Sequence, residues 1–380
     1  MDKILRNELI LELDKLKEYL SLDSLRLYIS YWDIKNDDIL YNLIDLLEKS
    51  DMEKIFDKKN QILGNSASTI TYELVALWIV KRAIRKTSLI AVEDYFNYLK
   101  TDYFDCYYIM WLKGINVGYP VELEKNLELR MPCHIPVESI AEEFRKNIFL
   151  QSSVFKIKPS ALLMFKFRHE KIHLNGSEET NNYDFTRYDF FEKIEDIRLL
   201  FTISFNGIFG IQSLVVNTLS DDNVPSSGNI NWNITNFRQT KMGIDVSYSD
   251  FSNFQELYIK FAKSKRKDFI RNVLKRLNDY ATLCNIIDKA VEIRIILEML
   301  FTVSHEKDNS ISKQLRTNIS KKYGVNAKER SKLSHKTIVI YDWCSEAIHT
   351  GQIIFHTEDE KENFNILFKE FEEIIRLEII

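Results

Sequence analysis

A short stretch near the end of the chain carries several residue types that can do chemistry. The stripe consists of Asp342, Ser345, Glu346 and His349. These residues recur at steps of three and four, so they share one face of a predicted helix, which Gly351 is expected to end. A carboxylate, a hydroxyl and an imidazole side by side suit acid–base chemistry, because histidine changes its charge near neutral pH. The alternative interpretation is a solvated helix face that contains a histidine by chance.

Two predicted helices are expected to position this stripe. The helix that carries it has an apolar face, at Ile340, Cys344, Ala347 and Ile348, which is expected to be buried. A second helix, upstream, has its own core-facing stripe at Ile286, Ala290, Ile293, Leu297 and Leu300. On this second helix Arg294 and Glu298 stand four residues apart, so we expect them to pair.

The stretch 341–351 resembles the end of the ApeA-like HEPN domain, a helical domain of bacterial abortive-infection and toxin proteins. That family has a tyrosine, two residues, Arg-Ser, two further residues, an aliphatic residue and His-Gly. The matching residues are Tyr341, Ser345, Ile348 and His349. Two positions depart from the pattern, because Cys344 stands where the family has its arginine and Gly351 comes one residue late.

The resemblance extends upstream in short pieces that keep their order. The segment 288–300 is similar to the first long helix of the family, which has a glutamate where Glu298 stands. Further pieces are Gln314-Leu315-Arg316 with Tyr323-Gly324, which resemble the second helix and its end, and 112–123, which resembles the opening of the β-rich segment before the domain. The resemblance therefore covers roughly residues 112–352.

The resemblance implies a HEPN-type metal-independent endoribonuclease that acts in bacterial anti-phage defence, by abortive infection, or as a toxin. It implies RNA as a partner, a homodimer through the C-terminal helical domain and a cytoplasmic location. A partner protein of a defence system is a further candidate, and no metal or other cofactor is expected. The alternative is a catalytically degenerate HEPN module that binds RNA or a protein partner without cleavage. Cys344 favours this alternative, whereas Ser345 and His349 favour the enzyme.

RNA cleavage without a metal needs an acid or base that titrates near neutral pH and a cation beside the phosphate. His349 can be the acid or base, but the thiol of Cys344 cannot be the cation, so another element must supply it. Arg316 lies on the preceding predicted helix, and Arg330 satisfies the HEPN spacing with His335, with four residues between them. The predicted catalytic residues are therefore His349, Arg316, Arg330, Ser345 and Glu346.

Charge limits where RNA can bind. The chain has 380 residues and a formal net charge of −4, so an RNA site must be a local basic patch. A basic run from Lys260 to Arg276 predicts either phosphate contacts or a solvated helix face. Within it, the predicted RNA-binding residues are Lys263, Lys265, Arg266, Lys267 and Arg271. The four cysteines show no CxxC spacing, which is typical of reduced thiols, and no apolar stretch is long enough to predict a membrane span.

The patterning of apolar residues divides the chain into three regions. Residues 1–110 carry amphipathic stripes and predict a helical N-terminal region. Residues 111–253 predict a mixed α/β segment with a small antiparallel sheet, and most strands are expected within 150–250. Residues 254–380 return to a helical period and, by the resemblance, form a HEPN-like helical bundle. The predicted fold class is therefore α+β, mainly α.

Overall fold

Helices occupy most of both ends of the chain, with strands between and among them. A computed structural model describes residues 3–21, 38–50, 60–63, 66–137, 141, 159–170, 173–174, 188–204, 211–220, 230–232, 244–246, 248–302 and 310–379. The predicted class, α+β and mainly α with an antiparallel sheet and a C-terminal helical bundle, is confirmed.

The chain divides into two compact units. The first contains Met1–Trp111, Tyr119–Phe191 and Val215–Ile234, and the second contains Leu112–Gly118, Glu192–Leu214 and Thr235–Ile380. These boundaries differ from the three regions expected from patterning, because 112–118 and 192–214 belong with the C-terminal helices. Local patterning along a chain does not show which distant segments pack together.

The helices of the first unit pack through aliphatic stripes. They are α1 (Lys3–Ser21), α2 (Asp38–Ser50), α3 (Tyr72–Arg85) and α4 (Ser88–Lys100), and α1 packs against the other three. The predicted stripe of α1 is buried at Leu9, Leu13 and Leu16. Threonine hydroxyls cap α3 and α4, because Thr71 accepts from the backbone N–H of Leu74 and Thr87 from that of Ile90.

Two sheets lie among these helices in the sequence. The larger has the strand order β10-β9-β3-β7-β6-β5, and the smaller has the order β2-β1-β8. The strands of the larger sheet are β3 (Tyr103–Lys113), β5 (Val121–Glu124), β6 (Leu127–Arg130), β7 (Ala161–Glu170), β9 (Gln212–Ser220) and β10 (Ile230–Trp232). Those of the smaller are β1 (Asn60–Leu63), β2 (Ser66–Thr69) and β8 (His173–Leu174). The pairs β5–β6, β6–β7 and β9–β10 are antiparallel.

Two expectations about the strands are wrong. Tyr103–Lys113 falls mostly in the region predicted to be helical, yet it forms β3, a strand that is buried along most of its length. Its aromatic-rich run has no alternation, and a continuous apolar run cannot be told from a buried helix by period alone. Among the described residues the strands are also not concentrated within 150–250, because β1 to β6 all precede residue 150.

The second unit is dominated by helices. They are α5 (Tyr188–Ser204, which enters this unit at Glu192), α6 (Tyr248–Lys263), α7 (Lys267–Thr282), α8 (Ile286–Phe301), α9 (Ile311–Tyr323), α10 (Ala327–Thr350) and α11 (Glu358–Ile379). The strands β4 (Ile115–Val117) and β11 (Ile244–Val246) pair in parallel within this unit. Helix α8 packs against α7, α9, α10 and α11, so it is the central helix of the bundle.

Candidate functional site

One continuous helix, α10, carries the predicted stripe. The helix begins after Asn326, whose side-chain oxygen accepts from the backbone N–H of Glu329 at 2.9 Å. It ends as predicted at Gly351, which has a φ of 69° and donates its N–H to the carbonyl of Ala347 at 3.0 Å. A left-handed backbone at this position is one that glycine adopts without strain.

The stripe faces away from the buried side of α10. The buried side consists of Leu333, Thr337, Ile340, Cys344 and Ala347. Asp342 and His349 are exposed, whereas Ser345 and Glu346 are half-buried. The prediction for Ile348 is wrong, because it is 42% exposed and lies outside the core. At 100° per residue it is rotated by about 40° from Cys344 and by about 80° from Ile340, which takes it to the margin of the buried side.

An arginine from α8 reaches this stripe. Arg294 Nη1 donates to Ser345 Oγ at 2.9 Å, and its Nη2 donates to Tyr341 Oη at 3.0 Å. Its Nε donates to Glu298 Oε1 at 2.7 Å, so the predicted pair within α8 is confirmed. The guanidinium carbon also lies 4.6 Å from the centroid of the Tyr341 ring, in cation–π contact. The contacts between Arg294 and α10 were not predicted.

Near neutral pH the Arg294 guanidinium is charged, and the Tyr341 hydroxyl and the Cys344 thiol are neutral. Burial lowers the pKa of the Arg294 guanidinium, but the hydrogen bond to Glu298 and the nearby Tyr341 and Glu298 outweigh it, so the net direction is upward. Burial raises the pKa of the Tyr341 hydroxyl, which therefore stays neutral. Burial also raises the pKa of the Cys344 thiol to about 12. Because only a thiolate is a good nucleophile, Cys344 is inert.

The three hydrogen bonds of Arg294 do not use all of its N–H groups. The three hydrogen bonds of Arg294 use one N–H on each of its nitrogens, so one N–H on Nη1 and one on Nη2 stay without a partner among the described residues. His349 follows Ser345 by four residues, which is about 6 Å along the helix axis. A fixed cation, two hydroxyls and an exposed imidazole therefore lie along one side of the bundle.

The structure does not bring Arg330 to His349 within one chain. Both residues lie on α10, and the 19 residues that separate them correspond to about 28 Å along the helix. Arg330 Nε instead donates to the carbonyl of Gly324 at 3.0 Å, across the turn between α9 and α10. His335 is exposed on α10, in the half of the helix that begins at this turn.

Arg316 lies on a helix that packs beside α10, as expected, but along its other half. The short connection between α9 and α10 makes the two helices antiparallel neighbours. Residue 316 is therefore level with about residue 334 of α10, and about 22 Å short of His349 along the axis. Of the predicted residues, the structure groups Ser345, Glu346 and His349, and it adds Arg294 in place of the two predicted arginines.

Two cations of the basic run from Lys260 to Arg276 bind a buried carboxylate. Lys267 Nζ lies 2.8 Å from Asp196 Oδ2, and Arg271 donates to both carboxylate oxygens of Asp196, with Nη2 at 3.0 Å from Oδ2. Asp196 belongs to α5 and is 1% exposed. The hydrogen bond to Asp196 raises the pKa of Arg271. These two cations neutralise a buried carboxylate, because an unpaired buried charge is costly.

The other three predicted RNA-binding residues lie at the surface. Lys263 ends α6, and Lys265 and Arg266 stand in the short connection to α7, and all three are exposed. The guanidinium carbon of Arg266 lies 4.5 Å from the centroid of the Phe269 ring. A phosphate can approach these three side chains without disturbing a buried pair.

Comparison with protein-family models, with curated proteins and with solved structures finds no match to this chain. No described helix is both long and apolar enough to cross a bilayer. In the ranges that the structure describes, no group of three or more His, Cys, Asp or Glu side chains is arranged to hold a metal ion. The HEPN resemblance therefore rests on its motif residues alone.

Proposed function

We propose that this chain is a HEPN-type metal-independent endoribonuclease of bacterial anti-phage defence, or a toxin of the same chemistry, with its site where α8 meets the end of α10. The observation that carries the proposal is the hydrogen bond from Arg294 to Ser345, one helical turn before His349. It supplies a cation beside the imidazole, although Cys344 occupies the arginine position of the family pattern.

The residues suit the two demands of the reaction. In such a cleavage the 2′-oxygen of a ribose bonds to the neighbouring phosphorus and the bond from phosphorus to the 5′-oxygen breaks. His349 takes the proton of the 2′-hydroxyl and returns it to the departing 5′-oxygen. The free N–H groups of Arg294 bind the phosphate oxygens as their charge grows. Glu346 is the second titratable group beside His349.

The fixed position of Arg294 favours catalysis over a flexible surface charge. Its side chain is 16% exposed, and Glu298, Tyr341 and Ser345 hold all three of its nitrogens. A preorganised cation needs little reorganisation when charge develops on the substrate. Ser345 and Tyr341 therefore act as positioning residues in this proposal.

A homodimer through the C-terminal helical domain is part of the proposal, together with RNA as substrate, a cytoplasmic location and a partner protein of the same defence system. Apolar side chains at the end of α10 support the dimer. Ile348, next to His349, is 42% exposed, and Ile354, just beyond the helix, is 52% exposed. In this proposal the partner chain covers these two side chains, because burial of exposed apolar side chains favours association.

One observation favours a second candidate, a HEPN module that binds RNA or a protein without cutting. Cys344, at the arginine position, is 1% exposed and faces the core, so the position itself presents no charge to a ligand. In that case Arg294 would stabilise the packing of α8 on α10 and would not contact phosphate. The two candidates differ in whether RNA is cut.

The test is incubation of the full chain with labelled single-stranded RNA in the presence of EDTA. We expect cleavage by the wild type, none by His349→Ala, and unchanged cleavage by the matched control His335→Ala, an exposed histidine on the same helix. Arg294→Gln should lower kcat by about 10²- to 10³-fold, the usual effect of removing one charge-stabilising donor. Expression in bacteria should arrest growth for the wild type and not for His349→Ala.

Three results would contradict the proposed enzyme. Equal cleavage by wild type and His349→Ala would remove His349 from the chemistry. Loss of cleavage in His335→Ala instead would move the site to the Arg330 and His335 pair. Binding of RNA without cleavage by the wild type would leave the binding module as the function. Cys344→Ala should retain cleavage, because its buried thiol has no role in the reaction.

A further inference from the structure

A second basic surface lies on the hairpin that α9 and α10 form. From Ile311 to Lys336 the sequence contains eight Lys and Arg residues and a single carboxylate, Glu329. Lys and Arg clustered on one element are the usual electrostatic footprint of nucleic-acid binding. The availability of these charges depends on what each side chain contacts in the fold.

The single carboxylate of the hairpin is used in the turn. Glu329 Oε2 accepts from the backbone N–H of Val325 at 3.0 Å, and its Oε1 accepts from Asn326 Nδ2 at 3.1 Å. Asn326 in return accepts from the backbone N–H of Glu329, so the two residues form a reciprocal cap at the start of α10. Glu329 therefore does not pair with any lysine in the hairpin.

Three of the eight cations also have internal partners. Lys322 Nζ lies 2.7 Å from Glu378 of α11, and Lys336 pairs with Glu370 of the same helix. Arg330 is bound to the Gly324 carbonyl across the turn. These contacts join the hairpin to α11 and close the turn.

Five cations remain, and among the described residues none of them forms an ion pair. They are Lys313, Arg316, Lys321, Lys328 and Lys332. All are exposed except Arg316, which is half-exposed. The three on α9 span about 12 Å along its axis, and Lys313 lies between the other two around the helix, about 60° from Arg316 and about 80° from Lys321. Lys321 and Lys328 flank the turn, so the row continues from α9 onto α10.

We propose that the α9–α10 hairpin binds the phosphate backbone of RNA. Lysine carries a compact charge on a flexible stem, which suits phosphates better than the planar edge of a base. The inference takes RNA as the ligand and in that respect rests on the proposed function. It also gives Arg316 a role in substrate binding, at a place where it cannot reach His349.

The hairpin and the proposed site lie on the same helix. Lys328, His335, Asp342 and His349 follow one another at seven-residue steps on the exposed side of α10. Lys328 and His349 are about 30 Å apart along the axis, which a stacked single strand covers with about nine nucleotides at ~3.4 Å each. An RNA held by the hairpin can therefore reach His349, whereas a dinucleotide cannot contact both.

The binding test uses the full chain with His349→Ala, so that RNA stays intact. We compare Lys321→Gln/Lys328→Gln/Lys332→Gln with the matched control Lys86→Gln/Lys100→Gln/Lys125→Gln, which removes the same charge from exposed lysines of the first unit. The probe is a fluorescent single-stranded RNA of about 20 nucleotides, and its Kd is measured over a range of salt concentrations. The slope of log K against log salt should flatten by about 2 in the hairpin variant, at ~0.7 per lost contact, and by less than half of that in the control.

Several outcomes separate this surface from the catalytic proposal. The proposal that the hairpin binds RNA is contradicted if the slope of log K against log salt is unchanged in the hairpin variant. It is also contradicted if the slope changes equally in both variants. A flattened slope in the hairpin variant alone supports the surface, even if the wild type proves unable to cut. If the wild type does cut, the hairpin variant should raise KM for long RNA and leave cleavage of a dinucleotide unchanged. Circular dichroism on both triple variants checks that the fold is kept.

Discussion

Two regions of the second unit have the same formal charge and use it differently. The run from Lys260 to Arg276 and the hairpin from Ile311 to Lys336 each contain eight cations and one carboxylate. In the run, Lys267 and Arg271 neutralise the buried Asp196. The carboxylate of the run, Asp268, lies 3.1 Å from Arg271 Nη1, and its side chain is 91% exposed. In the hairpin, Glu329 is held in the helix cap, and the free cations face solvent.

The difference shows that clustered charge in a sequence does not measure charge available to a ligand. A carboxylate buried elsewhere in the chain, here Asp196, can take up cations that look free in the sequence. Conversely, a local helix cap can keep the one carboxylate of a basic segment from pairing with its lysines. Four substitutions test this comparison, and they are arranged from the largest expected effect to the smallest.

Arg271→Gln should destabilise the protein most. It removes one of the two cations that pair with the buried Asp196, and removal of one partner of a buried ion pair costs about 3 kcal/mol. Chemical denaturation measures this loss. Lys275→Gln on the same helix is the control, because Lys275 is exposed and its loss should change stability by less than about 0.5 kcal/mol. Equal stability of the two variants would show that the run is only a solvated face.

Gly324→Ala should loosen the hairpin by about 2 kcal/mol, the usual cost of forcing an extra methyl into a packed place. A Cβ at this position would lie 2.5 Å from Arg330 Cγ and 2.7 Å from the carbonyl oxygen of Ser320. Thermal unfolding measures the effect, and Gly118→Ala, where a Cβ meets nothing within 4 Å, is the matched control. A Gly324→Ala protein as stable as wild type would mean that the turn is not closely packed.

Glu329→Gln should cost about 1 kcal/mol of stability, because it weakens the cap at the start of α10. It also removes the only negative charge of the hairpin, so RNA affinity should rise while stability falls. Measurement of both quantities on one variant separates charge from folding. A fall in RNA affinity would contradict the view that this carboxylate opposes RNA binding.

Arg266→Gln should have the smallest effect. Arg266 is exposed and its contact with the Phe269 ring is worth about 0.5 kcal/mol. If the α6–α7 run does not bind RNA, the salt dependence of binding should not change either. A clear loss of RNA affinity in Arg266→Gln would return the run to the role predicted from its sequence.

Much of the α10 stripe could be predicted from the sequence. Helical spacing placed Ser345 and His349 on one side and Cys344 on the other, and Gly351 indicated the end of the helix. The pair of Arg294 and Glu298 followed from its four-residue spacing. These predictions succeeded because they depend on contacts within one element.

The remaining features depend on how elements pack, which local spacing does not contain. Arg294 meets Tyr341 and Ser345 only because α8 and α10 lie side by side. The search for a cation on the neighbouring helix chose Arg316 for the same reason, but α9 is too short to reach the end of α10. Strand β3 was placed with the helices because it is buried on both faces and shows no alternation.

The length of α10 sets a condition on the shape of any RNA that uses both of its ends. A straight α-helix drifts by about 20° for every seven residues, so the three such steps from Lys328 to His349 rotate the stripe by about 60° around the axis. A strand that leaves the hairpin must therefore turn by a sixth of a circle before it reaches the imidazole. A flexible single strand can follow that path. A straight duplex that lies along α10 and contacts Lys328 does not also contact His349.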